Sequence, residues 1–254
     1  MDMLTIEGLT KHFGGVVALE HFSMTQQEQE ITGIIGPNGA GKTTVFNLIS
    51  GVYPHDAGHM TFMQRDMTSL PAHARTGLGI ARTFQNIRLF KNLSVLDNMK
   101  VAYGKKLQYT LWEEMLRLPR VMRQERIVDA KAKSLLEAFG LLTYADQHPE
   151  NLPYGMQRRL ELARTLMAQP KLLLLDEPAA GLNPREVKAL MEMIRTIQHD
   201  YHLSIIIVEH HMDLIMNICS RIHVLDFGKK IAEGKPEEIK QNEDVLQAYL
   251  GDQG

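Results

Sequence analysis

The sequence predicts an α/β protein whose core is a mainly parallel β-sheet, with an antiparallel β edge and an inserted helical subdomain. Three observations support this fold class. Short apolar runs that suit buried strands alternate with helix-patterned stretches, a glycine-rich loop joins one such run to a helix, and the middle of the chain is patterned for helices alone. Strands that alternate with helices in this way form parallel sheets with right-handed crossovers.

The first predicted elements are strands that lead into the glycine-rich loop. Strand-like segments at 4–7 and 16–24 precede the apolar run ITGII at 31–35, which ends at Gly36. The stretch 43–50 has a helical pattern after the loop. We therefore expect a buried strand, a loop and a helix in that order.

The middle of the chain, from about 92 to 168, is predicted to be helical, because stretches such as IVDAKAKSLLEAFGLL carry apolar residues three and four apart. A helical block between two α/β segments indicates an insertion. We expect one domain over 1–254, with an α/β core of 1–86 and 167–254 and a helical subdomain of 87–166.

The α/β pattern then resumes and continues to the end of the sequence. VLDFGKKIAEG predicts a hairpin that turns at Gly228, and PEEIKQNEDVLQAYLG predicts short helices after it. The elements expected before the hairpin are a strand at 171–177, a helix at 184–198, a strand at 203–210, a helix at 212–220 and a strand at 221–227.

The composition is that of a globular protein and excludes several classes. With 254 residues, of which 44% are hydrophobic and 23% charged, the chain can bury a sizeable core, so disorder is excluded. A formal net charge of −2 provides no basic field for nucleic acid. The histidines show no metal-ligand spacing, so we expect no zinc site.

The sequence also carries expectations about location. Its single cysteine, Cys219, lies in a helix-patterned stretch and fits packing in a reducing compartment. The start MDMLTIEGLT has no secretory pattern, and no apolar run approaches the roughly 18 residues that span a bilayer. We expect a cytoplasmic protein that serves any membrane process through a partner.

The stretch GPNGAGKT at 36–43, here called the phosphate loop, matches GxxxxGK[ST] between a buried strand and a helix. Its glycines would let backbone N–H groups surround phosphate oxygens at a helix N-terminus. Lys42 would reach the β- and γ-phosphates, Thr43 would coordinate Mg²⁺, and Thr44 would serve the α-phosphate. The alternative, a plain glycine turn, is disfavoured by the flanking strand and helix.

Two adjacent acids follow the leucine run in LLLLDEP, at the edge where α/β sheets bind ligands. Asp176 can hold Mg²⁺, directly or through water. Glu177, on the opposite face of the strand, can polarise an attacking water. A solvated acidic turn is the alternative, which the preceding leucines disfavour.

The chain resembles ABC-type ATPases over essentially its whole length, because several motifs occur in that family's order. They are the phosphate loop in ITGIIGPNGAGKTTVFNLISG, the Q-loop in RTFQ, the signature in LPYGMQRRLELAR, the Walker B motif and D-loop in LLLLDEPAAGLNP, and the switch histidine in IIIVEHHMD. The resemblance implies a P-loop NTPase with a RecA-like core that hydrolyses ATP with Mg²⁺. It also implies a head-to-tail dimer in which the phosphate loop of one subunit faces the signature of the other.

The resemblance assigns roles to individual residues. Phe13 would stack on adenine, Gln85 would contact the metal or water and report the nucleotide state to the transport partner, and His210 would touch the γ-phosphate. The implied catalytic residues are Lys42, Gln85, Glu177 and His210, and the implied metal ligands are Thr43, Gln85 and Asp176. The implied nucleotide contacts are Phe13, Gly36, Pro37, Asn38, Gly39, Ala40, Gly41, Lys42, Thr43 and Thr44, with Tyr154, Gly155, Met156 and Gln157 acting on the partner's site.

Two of these roles have alternatives. Phe13 fits ordinary core packing as well, and the family more often has tyrosine at its position. His211 is adjacent to His210 and could take its place, or His210 could be purely structural. The role of Gln85 depends wholly on the resemblance.

Two positions depart from the family's usual pattern. The signature reads LPYGMQ at 152–157, so Pro153 replaces the usual serine and removes a hydrogen bond to the γ-phosphate worth about 1.5–3 kcal/mol. What remains is Gly155 and the N-terminus of the helix predicted from Met156. Asn183 stands where the D-loop usually has aspartate. Both departures concern what this chain contributes to its partner's ATP site.

In finer detail, RTFQNIRLF, DEPAAGLNP and DVLQAYLG resemble the ATPase subunits of branched-chain amino-acid importers, with importers of urea or amides as the alternative. This implies two membrane permeases, an extracytoplasmic solute-binding protein and a peripheral position on the cytoplasmic face of the plasma (inner) membrane. Whether the dimer partner is a second copy or another ATPase stays open.

Two rival functions remain. A soluble ABC ATPase of translation or DNA repair usually has two cassettes or a long coiled-coil insertion, and a scaffold that binds ATP without hydrolysis would lack Lys42, Glu177 or His210.

Within the helical insertion, the stretch 109–126 mixes apolar and basic residues. A membrane-surface helix is one interpretation, but packing on its own subdomain or on a permease is favoured because Pro119 interrupts the pattern.

Overall fold

The computed structural model describes residues 1–103 and 118–250, apart from the side chain of residue 250. The described residues divide into two compact units, one made of 1–85 with 170–250 and the other lying within 86–169.

The first unit contains a six-stranded sheet in which five neighbouring strands are parallel and the sixth, at one edge, is antiparallel. In spatial order the strands are β10 (Lys229–Gly234), β9 (Arg221–Asp226), β3 (Ile31–Ile35), β8 (Ser204–Val208), β7 (Leu172–Asp176) and β6 (Ile80–Arg82). Every residue of β3, β7 and β8 is buried, as expected for strands covered on both faces. The predicted parallel sheet with an antiparallel edge is confirmed, and so is the hairpin at Gly228.

A second, antiparallel sheet lies in the same unit. Its order is β2 (Val16–Gln27), β1 (Asp2–Phe13), β4 (Ala57–Phe62) and β5 (Arg65–Asp66). The strands β1 and β2 are longer than the sequence predicted. The strands β4, β5 and β6 were not predicted, because they are short and half-exposed and lack the alternation that identifies a strand.

Six helices accompany these sheets in the described part of the first unit. They are α1 (Lys42–Ile49), α2 (Ala72–Leu78), α6 (Pro184–Asp200), α7 (Met212–Ile218), α8 (Pro236–Lys240) and α9 (Glu243–Leu250). The helix α1 packs Val45, Phe46 and Leu48 into a core shared with the antiparallel sheet. Each fully buried side chain of this size stabilises the fold by about 1.5–3 kcal/mol. The packing of these three side chains therefore holds the first turns of α1 in place.

Asn183 caps α6. Its side-chain oxygen accepts hydrogen bonds from the N–H groups of Arg185 and Glu186 at 3.0 Å, and the Glu186 carboxylate accepts the Asn183 N–H at 2.9 Å. This reciprocal capping box contributes about 1 kcal/mol. The asparagine that departs from the family's D-loop pattern therefore has a structural task in this chain.

The second unit is helical in its described residues. Its helices are α3 (Val95–Tyr103), α4 (Pro119–Ala138) and α5 (Tyr154–Met167), and they pack on one another. Leu160, Ala163 and Leu166 are buried along α5. The sequence predicted that this helix starts at Met156, but it begins two residues earlier, at Tyr154, with Pro153 at the N-cap position.

Residues 109–117 of the amphipathic stretch at 109–126 lie outside the described residues. Its described end belongs to α4, where Pro119 occupies the first helical position. Among the described residues, no helix combines the length and the apolar character needed to cross a bilayer.

The backbone packing around Gly58 predicts a test of the antiparallel sheet. Gly58 has φ +103°, and a Cβ there would lie 2.6 Å from the Leu9 Cα and 2.7 Å from the Gly8 carbonyl carbon. Gly58→Ala should therefore lower the free energy of unfolding by about 2 kcal/mol or more. Gly77, near the end of α2, has open space around it. Gly77→Ala is the control and should be neutral or slightly stabilising in urea unfolding.

Candidate active site

The phosphate loop connects the end of β3 to the start of α1. Gly41 precedes the helix with φ +101°, and a Cβ there would lie 2.6 Å from the carbonyl oxygen of Ala18. Only glycine fits both the conformation and the close approach of β2. The helix starts at Lys42, one residue before the predicted start.

The β9–β10 hairpin supports the phosphate loop from a distant part of the chain. The Gly228 N–H donates to the Ala40 carbonyl at 3.1 Å, and the Gly228 carbonyl accepts the Glu20 N–H at 2.8 Å. Within the loop, the Ala40 N–H donates to the Pro37 carbonyl at 3.2 Å. These backbone bonds hold the loop in a fixed curve.

Lys42 folds back over the phosphate loop. Its Nζ donates to the carbonyl oxygens of Gly36 and Pro37, each at 2.7 Å. Burial lowers the pKa of Lys42, and the carboxylate of Glu177 opposes that effect. The ammonium group is thus held at the loop, where it can exchange carbonyl partners for phosphate oxygens.

One pocket brings the phosphate loop together with Glu177 and His210. It has a volume of about 210 Å³ and is lined by Ala18, Asn38, Gly39, Ala40, Gly41, Lys42, Thr43, Thr44, Glu177 and His210. The lining does not include Phe13, whose half-exposed ring meets Tyr53 edge-on at 5.3 Å. The pocket therefore contains most of the phosphate-loop residues that were predicted to contact the nucleotide, but it does not contain Phe13.

Glu177 is held by two side chains from the loops that follow other strands. The Gln85 amide donates to Glu177 Oε2 at 2.7 Å, and His210 Nε2 lies 2.9 Å from Glu177 Oε1. Residues 85, 177 and 210 each lie just after the carboxyl end of one of the parallel strands β6, β7 and β8. The carboxylate therefore has a defined orientation, which a general base or a water-orienting group requires.

The backbone conformation of Glu177 differs from the strand conformation on which the expected direction of its side chain was based. Glu177 lies one residue beyond β7, with φ +45°, and its N–H donates to the Val208 carbonyl at 2.8 Å. Strand alternation therefore does not set its direction, because a left-handed turn does. The neighbouring alternative, His211, is exposed and forms the N-cap of α7.

Asp176, the last residue of β7, forms a buried ion pair that the sequence did not predict. Its Oδ2 accepts a hydrogen bond from Arg82 at 2.7 Å, and the two side chains are 6% and 8% exposed. The Arg82 guanidinium also donates to Asn47 Oδ1 at 2.7 Å and lies over the rings of Phe46 and Phe84. Arg82 opens the RTFQ stretch, but an isolated arginine in a sequence carries no signal of its partner.

The signature residues lie in the second unit, at the start of α5. Tyr154, Gly155 and Met156 form its first turn, and the Gln157 amide donates to the Leu152 carbonyl at 2.9 Å. Tyr154 is exposed, and the Arg158 guanidinium lies over its ring.

The family models and the relatives that match this chain all belong to ABC transporters. The family model described as "ABC transporter" matches residues 19–180, and one described as "Branched-chain amino acid ATP-binding cassette transporter" matches 229–254. The high-affinity branched-chain amino acid transport ATP-binding protein LivG of Salmonella typhimurium is 43% identical over 250 residues, which is 98% of both chains. The corresponding protein BraF of Pseudomonas aeruginosa is 39% identical over 98% of both chains.

A similar fold is found among solved structures. The ADP conformation of MJ1267, an ATP-binding cassette of an ABC transporter, superposes with a TM-score of 0.86 at 29% identity, over 99% of both chains.

The Arg82–Asp176 ion pair leads to a stability prediction. Arg82→Gln would leave Asp176 buried without its cation, which should lower the free energy of unfolding by about 3 kcal/mol. Asp176→Asn in the same chain should recover part of the loss. The matched control is Lys229→Gln, which breaks an ion pair between Lys229, whose side chain is 64% exposed, and Glu20, whose side chain is 41% exposed. Because this pair is exposed, the control should lower the free energy of unfolding by less than about 1 kcal/mol. Urea unfolding without nucleotide gives the free energy of unfolding of the wild type, the two single variants and the double variant. Equal losses of stability for Arg82→Gln and Lys229→Gln would contradict the prediction.

Proposed function

The chain belongs to the ABC transporter family of ATPases, and from that premise we propose that it hydrolyses MgATP to drive the import of branched-chain amino acids. The observation that carries the proposal is the pocket that joins the phosphate loop to Glu177 and His210. A loop that binds phosphates and an oriented carboxylate that activates water are the two parts that hydrolysis needs.

In the proposed complex, the ATP phosphates lie in the phosphate loop. The backbone N–H groups of Gly39 and Gly41 and the N-terminus of α1 donate to phosphate oxygens. Lys42 exchanges its two loop carbonyls for β- and γ-phosphate oxygens, which are better partners for a cation whose pKa burial has lowered. Phe13, with its half-exposed ring, is the proposed platform for adenine.

The residues present suit Mg²⁺, which prefers oxygen ligands. The proposed ligands are the exposed hydroxyl of Thr43, the carbonyl oxygen of Gln85 and the carboxylate of Asp176. When bound, the ion neutralises charge on the phosphates. Arg82 keeps the Asp176 carboxylate in one orientation at this edge of the sheet.

Glu177 is proposed to act as the general base toward the attacking water. Its two oxygens contact Gln85 and His210, so a water on the phosphate side meets a carboxylate of fixed direction. His210 also reaches toward the position of the γ-phosphate. Retention of Lys42, Glu177 and His210 argues against a scaffold that only binds ATP.

We further propose that 87–166 form the helical subdomain and that the ATP site is completed by the signature of a second ATPase subunit, identical or different. Pro153 supplies no hydroxyl, so the partner's phosphate meets the α5 N-terminus, Gly155 and the exposed Tyr154. The assembly would include two permeases and an extracytoplasmic solute-binding protein, with this chain held at the cytoplasmic face of the membrane by the permeases.

The substrate class is proposed from the relatives. The LivG and BraF proteins are named for branched-chain amino acid transport, and each matches almost the whole chain. The match to residues 229–254 adds a segment described for the same transporters. These likenesses favour branched-chain amino acids over urea or amides and over a non-transport ATPase.

Glu177→Gln tests the catalytic proposal. The amide cannot accept the proton of water, so turnover should fall by about 10²-fold or more while ATP binding survives. The bound ATP should hold the variant in an ATP-dependent complex with its partner ATPase. Turnover and association are measured with the permease and ATPase subunits present. Glu20→Gln, at an exposed ion pair of the same unit, is the matched control and should hydrolyse ATP normally.

The substrate proposal is tested by uptake. Cells that lack this chain should lose high-affinity uptake of leucine, isoleucine and valine, and the wild-type gene should restore it. The Lys42→Ala variant should not restore it, because the phosphates lose their cation. Restoration of urea or amide uptake in place of leucine uptake would contradict the proposed substrate.

A further inference from the structure

Glu209 is a buried carboxylate that none of the roles described above uses. It follows the last residue of β8 and is 2% exposed. A buried carboxylate is costly unless its oxygens are hydrogen-bonded or paired with a cation. The ion pairs found among residues 1–103 and 118–250 do not include Glu209, so its charge depends on hydrogen bonds.

Three backbone N–H groups donate to this carboxylate. The Ala179 N–H donates to Oε1 at 2.7 Å, and the N–H groups of His210 and His211 donate to Oε2 at 2.8 and 3.1 Å. Both oxygens are therefore engaged. Charge-assisted hydrogen bonds of this kind are shorter and stronger than neutral ones, and they fix the donors as well as the acceptor.

The three donors belong to the two segments that carry Glu177 and His210. Ala179 is buried two residues after Glu177, in the turn that leads to α6, and the other two amides belong to the loop after β8. The side-chain contact between His210 Nε2 and Glu177 Oε1, at 2.9 Å, spans the same two segments. Glu209 thus joins the backbones of the two segments, while the side chains of His210 and Glu177 meet in the pocket.

We propose that Glu209 is a positioning residue for hydrolysis, which holds the His210 loop and the turn after Glu177 in one fixed relation. This inference rests on the proposed function, in which Glu177 and His210 act on the water and the γ-phosphate. In this proposal Glu209 itself contacts neither the water nor the γ-phosphate. Its effect on turnover passes through the backbone of Ala179, His210 and His211.

Glu209→Gln is the direct test. Glutamine has one acceptor oxygen and one NH₂ group, so it cannot accept hydrogen bonds at both positions, and its NH₂ group would face a backbone N–H. The matched control is Glu30→Gln, at the opposite end of the same sheet, before β3. The Glu30 side chain is 12% exposed and accepts the Gln27 N–H at 3.0 Å. That control should lower stability without changing turnover.

The measurements are kcat and KM for ATP in the assembled transporter, nucleotide binding by the isolated chain, and hydrogen exchange of peptides covering 177–183 and 208–213. For Glu209→Gln, kcat should fall about tenfold or more, since a displacement of about 1 Å can cost on the order of 10²-fold. KM and nucleotide affinity should stay within about threefold of wild type. Faster exchange should be confined to the two peptides.

Two results would overturn the proposal. One is unchanged kcat in Glu209→Gln. The other is loss of nucleotide binding in step with kcat, together with faster exchange across the whole sheet, because that pattern marks a structural residue. If the glutamine variant does not fold, Glu209→Asp applies the same measurements with a carboxylate that is one methylene shorter. Absence of turnover in the wild-type complex would refute the proposed function instead, and the exchange measurement would still test the contact.

Discussion

The parallel order β3, β8, β7, β6 is the constraint on which the rest of the site depends. Because the carboxyl ends of parallel strands meet at one edge, the segments after these four strands converge there although they are far apart in sequence. The phosphate loop follows β3, and Gln85, Glu177 and His210 follow the other three strands. Continuous burial of β3, β7 and β8 makes the register hard to change, since a slip would expose their apolar side chains.

Several buried charged side chains lie at this edge, and each of them has specific partners that compensate its charge. Lys42 donates to two loop carbonyls, Arg82 pairs with Asp176, and Glu209 accepts three backbone N–H groups. A buried charge without such partners would be expensive, so the side chains are confined to the geometries that satisfy them. The same compensation that makes the charges tolerable also preorganises the groups that are proposed to act on ATP.

The two departures from the family's usual motifs have local structural explanations. Pro153 is the N-cap of α5 and starts that helix at Tyr154, two residues before the position predicted from the sequence. Asn183 forms both hydrogen bonds of the capping box of α6, a task that aspartate could also perform. Asn183 therefore stabilises a helix start, and Pro153 stands at one, whatever the two residues contribute to a partner subunit.

The sequence by itself determined the parallel core, the phosphate loop, the hairpin at Gly228 and the helical character of the middle segment. These features have local signals, namely continuous apolar runs, glycines at fixed spacing and a helical period. The capping box at Asn183 also has such a signal, namely the spacing of Asn183 and Glu186.

Only the tertiary structure decided the rest. It gave β4, β5 and β6, the left-handed turn that directs Glu177, and the partners of Arg82 and Glu209. Arg82 meets Asp176 across 94 positions in the chain, and Glu209 meets Ala179 across 30. Contacts at such separations depend on which strands become neighbours, and the local sequence around a single charged residue contains no record of that choice.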